Sequence, residues 1–185
     1  MKSIVAALGF LLALATPAWA VAPTPTTYNV EVIVFENLLP ELEGGEIWTR
    51  EDARLPDDLK DAVSAPEMTA PDPILNSAAA ALEKDGHFRV LLQRQWRQTA
   101  DAKSETKPVR LVTADHRLDG TFRFYLSRYL HVDMDLILQP NPATGTEASP
   151  AFRLSEHRRV KLQEVHYFDH PKLGVLLRVT QTDKN

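Results

Sequence analysis

Residues 118–126 and 130–138 carry apolar side chains at every second position, and the two sets of parities admit one pairing. Phe122, Phe124 and Leu126 share one side of the first segment, while Leu130, Val132, Met134, Leu136 and Leu138 share one side of the second. A two-residue turn would set Leu126 against Tyr129 and Phe124 against His131, mixing apolar and polar faces. A three-residue connection, Ser127-Arg128-Tyr129, sets Leu126 against Leu130 and Phe124 against Val132 and keeps one face dry. The same register predicts a second face, polar and accessible, with Tyr125 opposite His131, Arg123 opposite Asp133 and Thr121 opposite Asp135. Opposite charges paired across two strands contribute only about 0.2–1 kcal/mol each.

The remaining segments place this hairpin in a larger sheet. Residues 28–36 are rich in β-branched and aromatic side chains and become apolar on both sides, the pattern of an interior strand. Residues 88–97, 151–160 and 174–180 read as further strands, and 162–167 as a short strand or a bend. Asn76 or Ser77 is positioned to cap one short helix running to about Lys84, which Asp85-Gly86 stops. Residues 37–72 lose periodicity and gain Pro40, Pro56, Pro66, Pro71 and Gly44-Gly45, so they read as a long loop with one helical turn near 54–61. Residues 98–108 and 139–150 are polar connections. The expected fold is α+β: a mainly antiparallel sheet of about five to seven strands, one short helix and long polar loops.

The N-terminus restricts the compartment. Lys2, the apolar run 4–15 and Ala18-Trp19-Ala20 have the form of a secretory signal peptide cleaved after Ala20. The run is shorter than the roughly 20 apolar residues of a membrane span, so no span is expected in the mature form. Residues 21–27 read as a Pro/Thr tether, leaving residues 28–185 as a single domain of an exported protein. The chain has no cysteine, so packing must replace the disulfides that small exported domains use. Charge is uneven. Residues 37–72 hold ten acids against Arg50, Arg54 and Lys60, a net of −7, which leaves the rest of the mature chain near +2. Such a weakly charged remainder argues against nucleic acid as a partner.

Catalytic readings fare poorly. Cysteine chemistry is impossible, and most acids that could pair for glycosidic cleavage lie in the long loop. No catalytic residue and no cofactor is assigned. His166 with His170, and the series His131, Asp133 and Asp135, are the metal candidates. The spacing does not suit a metal cluster, and histidines satisfying backbone groups are the preferred reading. Trp48 and Trp96 are each either a platform for a sugar ring or a packing residue.

Four blocks then converge on one family. They are Tyr28-Asn29-Val30-Glu31-Val32-Ile33-Val34-Phe35, Phe88-Arg89-Val90-Leu91 with Trp96, the hairpin from Leu118-Asp119-Gly120 through Arg128-Tyr129-Leu130-His131 to Leu136, and the segment from Glu164 through His166-Tyr167-Phe168-Asp169-His170-Pro171 to Leu176. Together they resemble the CsiV family of peptidoglycan-binding proteins. The resemblance implies a periplasmic, non-enzymatic protein that binds peptidoglycan and assists a class A penicillin-binding protein together with its outer-membrane lipoprotein activator. An alternative is an envelope assembly or chaperone-like protein that takes client polypeptides by strand addition. The ligand face expected from the hairpin register comprises Arg123, Tyr125, His131 and Asp133, with Trp48 nearby.

Overall fold

Tyr28, Val30, Val32 and Val34 project from one side of β1 (Thr27–Asn37) and Ile33 and Phe35 from the other, and all six are buried. A strand covered on both sides has to be central, and β1 lies between β3 (Phe88–Thr99) and β9 (Leu173–Gln181), antiparallel to each. The structure is a computed structural model and describes residues 25–39, 54–65, 74–141 and 151–182. The expected signal peptide, Trp48, most of the acidic loop and part of the 139–150 connection lie outside the described residues.

The fold is α+β and mainly antiparallel, as the sequence indicates, but its strands form two sheets rather than one. The described residues form nine strands. β8 (Val165–His170) completes a four-stranded sheet in the order β3-β1-β9-β8. The second sheet has the order β2-β4-β5-β6-β7, built from β2 (Val63–Ser64), β4 (Val109–Val112), β5 (Leu118–Leu126), β6 (Leu130–Leu138) and β7 (Phe152–Arg159). β2 and β4 were not anticipated because two and four residues are too few to establish a period.

One apolar cluster joins the two sheets, with Val30, Val32, Val175 and Val179 from the first and Phe122, Phe124, Val132 and Leu136 from the second. Trp96 is fully buried in it, its ring edge-on to Phe122 at 5.3 Å, and its indole N–H donates to Gln98 Oε1 at 2.6 Å. Of its two readings, Trp96 is therefore the packing residue. An ion pair spans the sheets as well. Arg117, at the β4–β5 turn, donates to Glu36 at the end of β1 at 2.8 Å and to the Gln139 carbonyl at 3.3 Å.

Helix α1 (Asn76–Asp85) covers the outer face of the four-stranded sheet through Leu75 and Ala79, which pack on Ile33 and Phe35. Its capping differs from the expected side-chain cap. Leu75 occupies the cap position, and the buried Glu31 of β1 accepts the Leu75 N–H at 3.1 Å. A carboxylate at this end of a helix meets both the unpaired N–H groups and the positive end of the helix dipole. Asn76 instead accepts a hydrogen bond from Gln93 on β3 at 2.7 Å. Gly86 ends the helix in the left-handed conformation, φ 76°.

The β5–β6 register is the one the parities require: Leu126 opposite Leu130, Phe124 opposite Val132, Tyr125 opposite His131 and Arg123 opposite Asp133. Gly120 makes this pairing possible at its far end, since a Cβ there would lie 2.1 Å from the Asp135 carbonyl oxygen and 2.7 Å from Leu136 Cα. Both are backbone atoms that cannot rotate away. Gly120→Ala is expected to destabilise the protein by on the order of 3 kcal/mol. Gly86→Ala meets open space, so it carries only the positive-φ penalty of about 1 kcal/mol. Urea unfolding of both variants checks this, and equal losses would count against the close approach at Gly120.

Candidate functional site

The outward side of the five-stranded sheet takes its residues from the polar parities of three adjacent strands. β5 contributes Arg123 and Tyr125, β6 contributes His131, Asp133 and Asp135, and β7 contributes Arg153, Ser155 and His157. Four of the five residues expected at the ligand face, Arg123, Tyr125, His131 and Asp133, are brought together there. The fifth, Trp48, lies outside the described residues.

Asp133 is the hub of this face. Its Oδ2 accepts from Lys103 Nζ at 2.6 Å, and its Oδ1 contacts His157 Nδ1 at 2.5 Å and the Tyr125 hydroxyl at 3.4 Å. Burial pushes the Asp133 carboxyl up, but the hydrogen bonds and charges of His157 and Lys103 outweigh it and hold the group below its ordinary value. Lys103 is correspondingly raised by its hydrogen bond to Asp133. The rings of Tyr125, His131 and His157 stack in series, Tyr125 to His131 at 5.5 Å and His131 to His157 at 5.2 Å, with the Lys103 ammonium 5.3 Å above Tyr125. His131 Nδ1 is buried without a hydrogen-bond partner.

Two features of this face differ from the sequence reading. Arg123 lies opposite Asp133 in register, yet its guanidinium pairs with Asp58 at 2.9 Å, and Asp133 turns to Lys103 and His157. The reason is that a 3-10 turn at Asp57–Asp61 lies over β5, where Asp58 also accepts from Thr121 at 2.9 Å. The face is also less open than a bare hairpin would be, since Tyr125 retains only 4% of its exposure.

Beside the hub is a cleft of about 530 Å³ lined by Asp57, Asp58, Lys103, Asp133, Asp135, Arg153, Ser155 and His157. Arg153 makes a two-pronged pair with Asp135 at 2.7 and 2.5 Å. The cleft therefore offers both charge signs, a hydroxyl and imidazole, a set suited to holding a polar ligand by many shared hydrogen bonds. Arg153, Ser155 and His157 could have been found from the alternation of β7 once it was placed beside β6. Asp58 and Lys103 carry no such signal, because both arrive on loops.

The histidine pair at the other end of the chain is structural in its contacts. His166 Nε2 lies 3.0 Å from Lys161 N and 3.1 Å from Lys161 O, and His170 Nδ1 accepts from Lys172 N–H at 3.2 Å. Between them Tyr167 stacks on Phe35 at 6.2 Å and donates to Asp169 at 2.6 Å, while Phe168 is fully buried. Among the described residues no group of three or more potential ligands is placed to hold a metal ion, and no helix is long and apolar enough to cross a membrane.

A family model described as peptidoglycan-binding protein, CsiV, matches residues 4–182. No curated protein and no solved structure matches the chain.

The depressed Asp133 carboxyl gives the hub a pH signature. Its contribution to stability is complete above its unfolded-state value, about pH 4, and is lost as the pH falls through the lower folded-state value. Asp133→Asn is expected to cost about 1 kcal/mol at neutral pH, with the gap to the wild type narrowing below about pH 4. Unfolding midpoints between about pH 2 and pH 7 test this, and a gap constant across that range would remove Asp133 from its place at the hub.

Proposed function

The chain belongs to the CsiV family of peptidoglycan-binding proteins, and on that basis we propose that it is a non-enzymatic peptidoglycan-binding protein of the cell envelope. Family membership across residues 4–182 is the observation that carries the reading, because the matched region includes every described strand and the helix. The continuous core joining both sheets supports treating residues 28–185 as one binding domain. The segment 1–20 supports delivery to the periplasm.

Within this reading the ligand face is the outer side of β5, β6 and β7. Arg123, Tyr125, His131 and Asp133 form its floor, and Lys103, Arg153, Ser155 and His157 supply the groups that reach the cleft. Trp48, outside the described residues, is proposed from the sequence as an aromatic platform for a sugar ring. The role in the cell is positional: the protein assists a class A penicillin-binding protein and its outer-membrane lipoprotein activator by holding them to the wall or by favouring an active state of the synthase. Client capture by strand addition is less well supported. On the edge strand β8 the Tyr167 carbonyl already accepts from Arg158 at 2.7 Å, which occupies a main-chain acceptor that an added strand would need.

Co-sedimentation with isolated sacculi tests the proposal. The purified protein is expected in the pellet, and Lys103→Ala with His157→Ala is expected to lower the pelleted fraction by about threefold to tenfold. Protein that stays in the supernatant while an unfolded polypeptide captures it would overturn peptidoglycan binding in favour of client binding. Release of soluble fragments from the sacculi would overturn the non-enzymatic assignment.

A further inference from the structure

The guanidinium groups of Arg128 and Arg159 both lie against Tyr129, at 5.5 and 3.6 Å from the ring centroid. The two arginines come from different parts of the chain. Arg128 and Tyr129 belong to the three-residue β5–β6 connection, while Arg159 ends β7 and is paired in register with His131. Both arginines are exposed, and Tyr129 keeps 40% of its exposure. Among the described residues neither guanidinium has a carboxylate partner. The arginines deeper on the same face differ: Arg110, Arg123 and Arg153 are each engaged by an acid, namely Asp119, Asp58 and Asp135.

A guanidinium stacked on an aromatic ring is held in orientation while its N–H fork stays open to an anion. Two such groups on one ring, with no acid to neutralise them, form a site that lacks its counter-charge. The site is continuous with the cleft, because Arg159 follows His157 by two positions on the same side of β7, a step of about 7 Å along a strand. In peptidoglycan the sugars are N-acetylated and the lactyl carboxyl is amidated, so the glycan strand offers no anion. The carboxylates belong to the stem peptides. We infer that Arg128, Tyr129 and Arg159 form an oxyanion subsite that binds stem-peptide carboxylates, so that this protein reads the peptide part of the wall as well as its sugars. The inference rests on the proposed peptidoglycan binding and names the chemical group that one end of the face takes.

Calorimetry with a soluble muropeptide, a disaccharide bearing its stem peptide, tests the subsite against a neutral N-acetylglucosamine oligosaccharide, which carries no lactyl carboxyl. Arg128→Gln with Arg159→Gln is expected to weaken muropeptide binding by about tenfold or more and to flatten its salt dependence, with binding of the neutral oligosaccharide unchanged. Lys at both positions restores only part of the affinity, because the charge returns without the fork. Tyr129→Phe keeps the platform and the affinity, whereas Tyr129→Leu loses it, and this pair decides the matter if the double variant fails to fold. Equal muropeptide binding by the double variant and the wild type overturns the subsite, as does equal weakening toward the neutral oligosaccharide. Capture of phosphatidylglycerol vesicles through the same arginines, without muropeptide binding, assigns the site to lipid phosphate and also overturns it. Wild-type protein that pellets with sacculi as well as the double variant does leaves the proposed function standing and removes the subsite. Wild-type protein that binds muropeptide through the two arginines but not sacculi does the reverse, and binding to neither overturns both.

Discussion

The fold and its candidate site both depend on the two-residue period of the β5–β6 hairpin held in one register by an odd-numbered connection. Because consecutive side chains alternate, one choice of register decides both sides of the sheet at once. Phe122, Phe124, Val132, Met134 and Leu136 are delivered to the core between the sheets, and by the same step Arg123, Tyr125, His131 and Asp133 are delivered to the outer face. A slip of β6 by one residue would drive Asp133 and Asp135 into the apolar interior and place Val132, Met134 and Leu136 in water. No separate specification of the polar face is required, since it is the complement of the dry one.

The parts of this structure that were legible in the sequence are those fixed by local periodicity. The hairpin register, the central position of β1, the span of α1 and the helical turn at Asp57–Asp61 all follow from residues close together in the chain. The division into two sheets was not legible, because it depends on β1 pairing with β3 in mid-chain and with β9 near the far end of the sequence, and on two strands too short to show a period. For the candidate face, the register placed Arg123, Tyr125, His131 and Asp133 together but gave the wrong charge partners. Arg123 and Asp133 are neighbours across the strands, yet Asp58 and Lys103 arrive from loops and divide the pair between them. Cross-strand attraction between exposed charges is worth so little that a loop carboxylate with better geometry displaces it. The helix cap shows the same limit: Glu31, 44 residues before Leu75, does what Asn76 or Ser77 was expected to do.

The sequence blocks that carry the family likeness separate into two kinds of work. The segment from Glu164 to Leu176 forms a turn and an edge: its histidines bind backbone groups, Phe168 fills the core, and Gly174 leaves room for the Phe35 ring, which a Cβ would approach to 2.3 Å. The hairpin block does both jobs, with its inward side packed and its outward side bearing the stacked Tyr125, His131 and His157 and, at its tip, the paired guanidiniums on Tyr129. A likeness concentrated in these blocks thus reports on the scaffold at one end and on the scaffold and the candidate ligand face together at the other.

The pairing of β1 also orders events during folding. The five-stranded sheet is mostly a meander, with β4, β5, β6 and β7 adjacent in sequence and in space, so its contacts close short loops. The four-stranded sheet is the opposite case: its first-made strand needs the last, and Tyr28 finds Gln181 only after more than 150 intervening residues are available. Until then β1 can pair with β3 alone, and its other edge, in one of the most apolar stretches of the chain, stays open to the strand pairing that leads to aggregation.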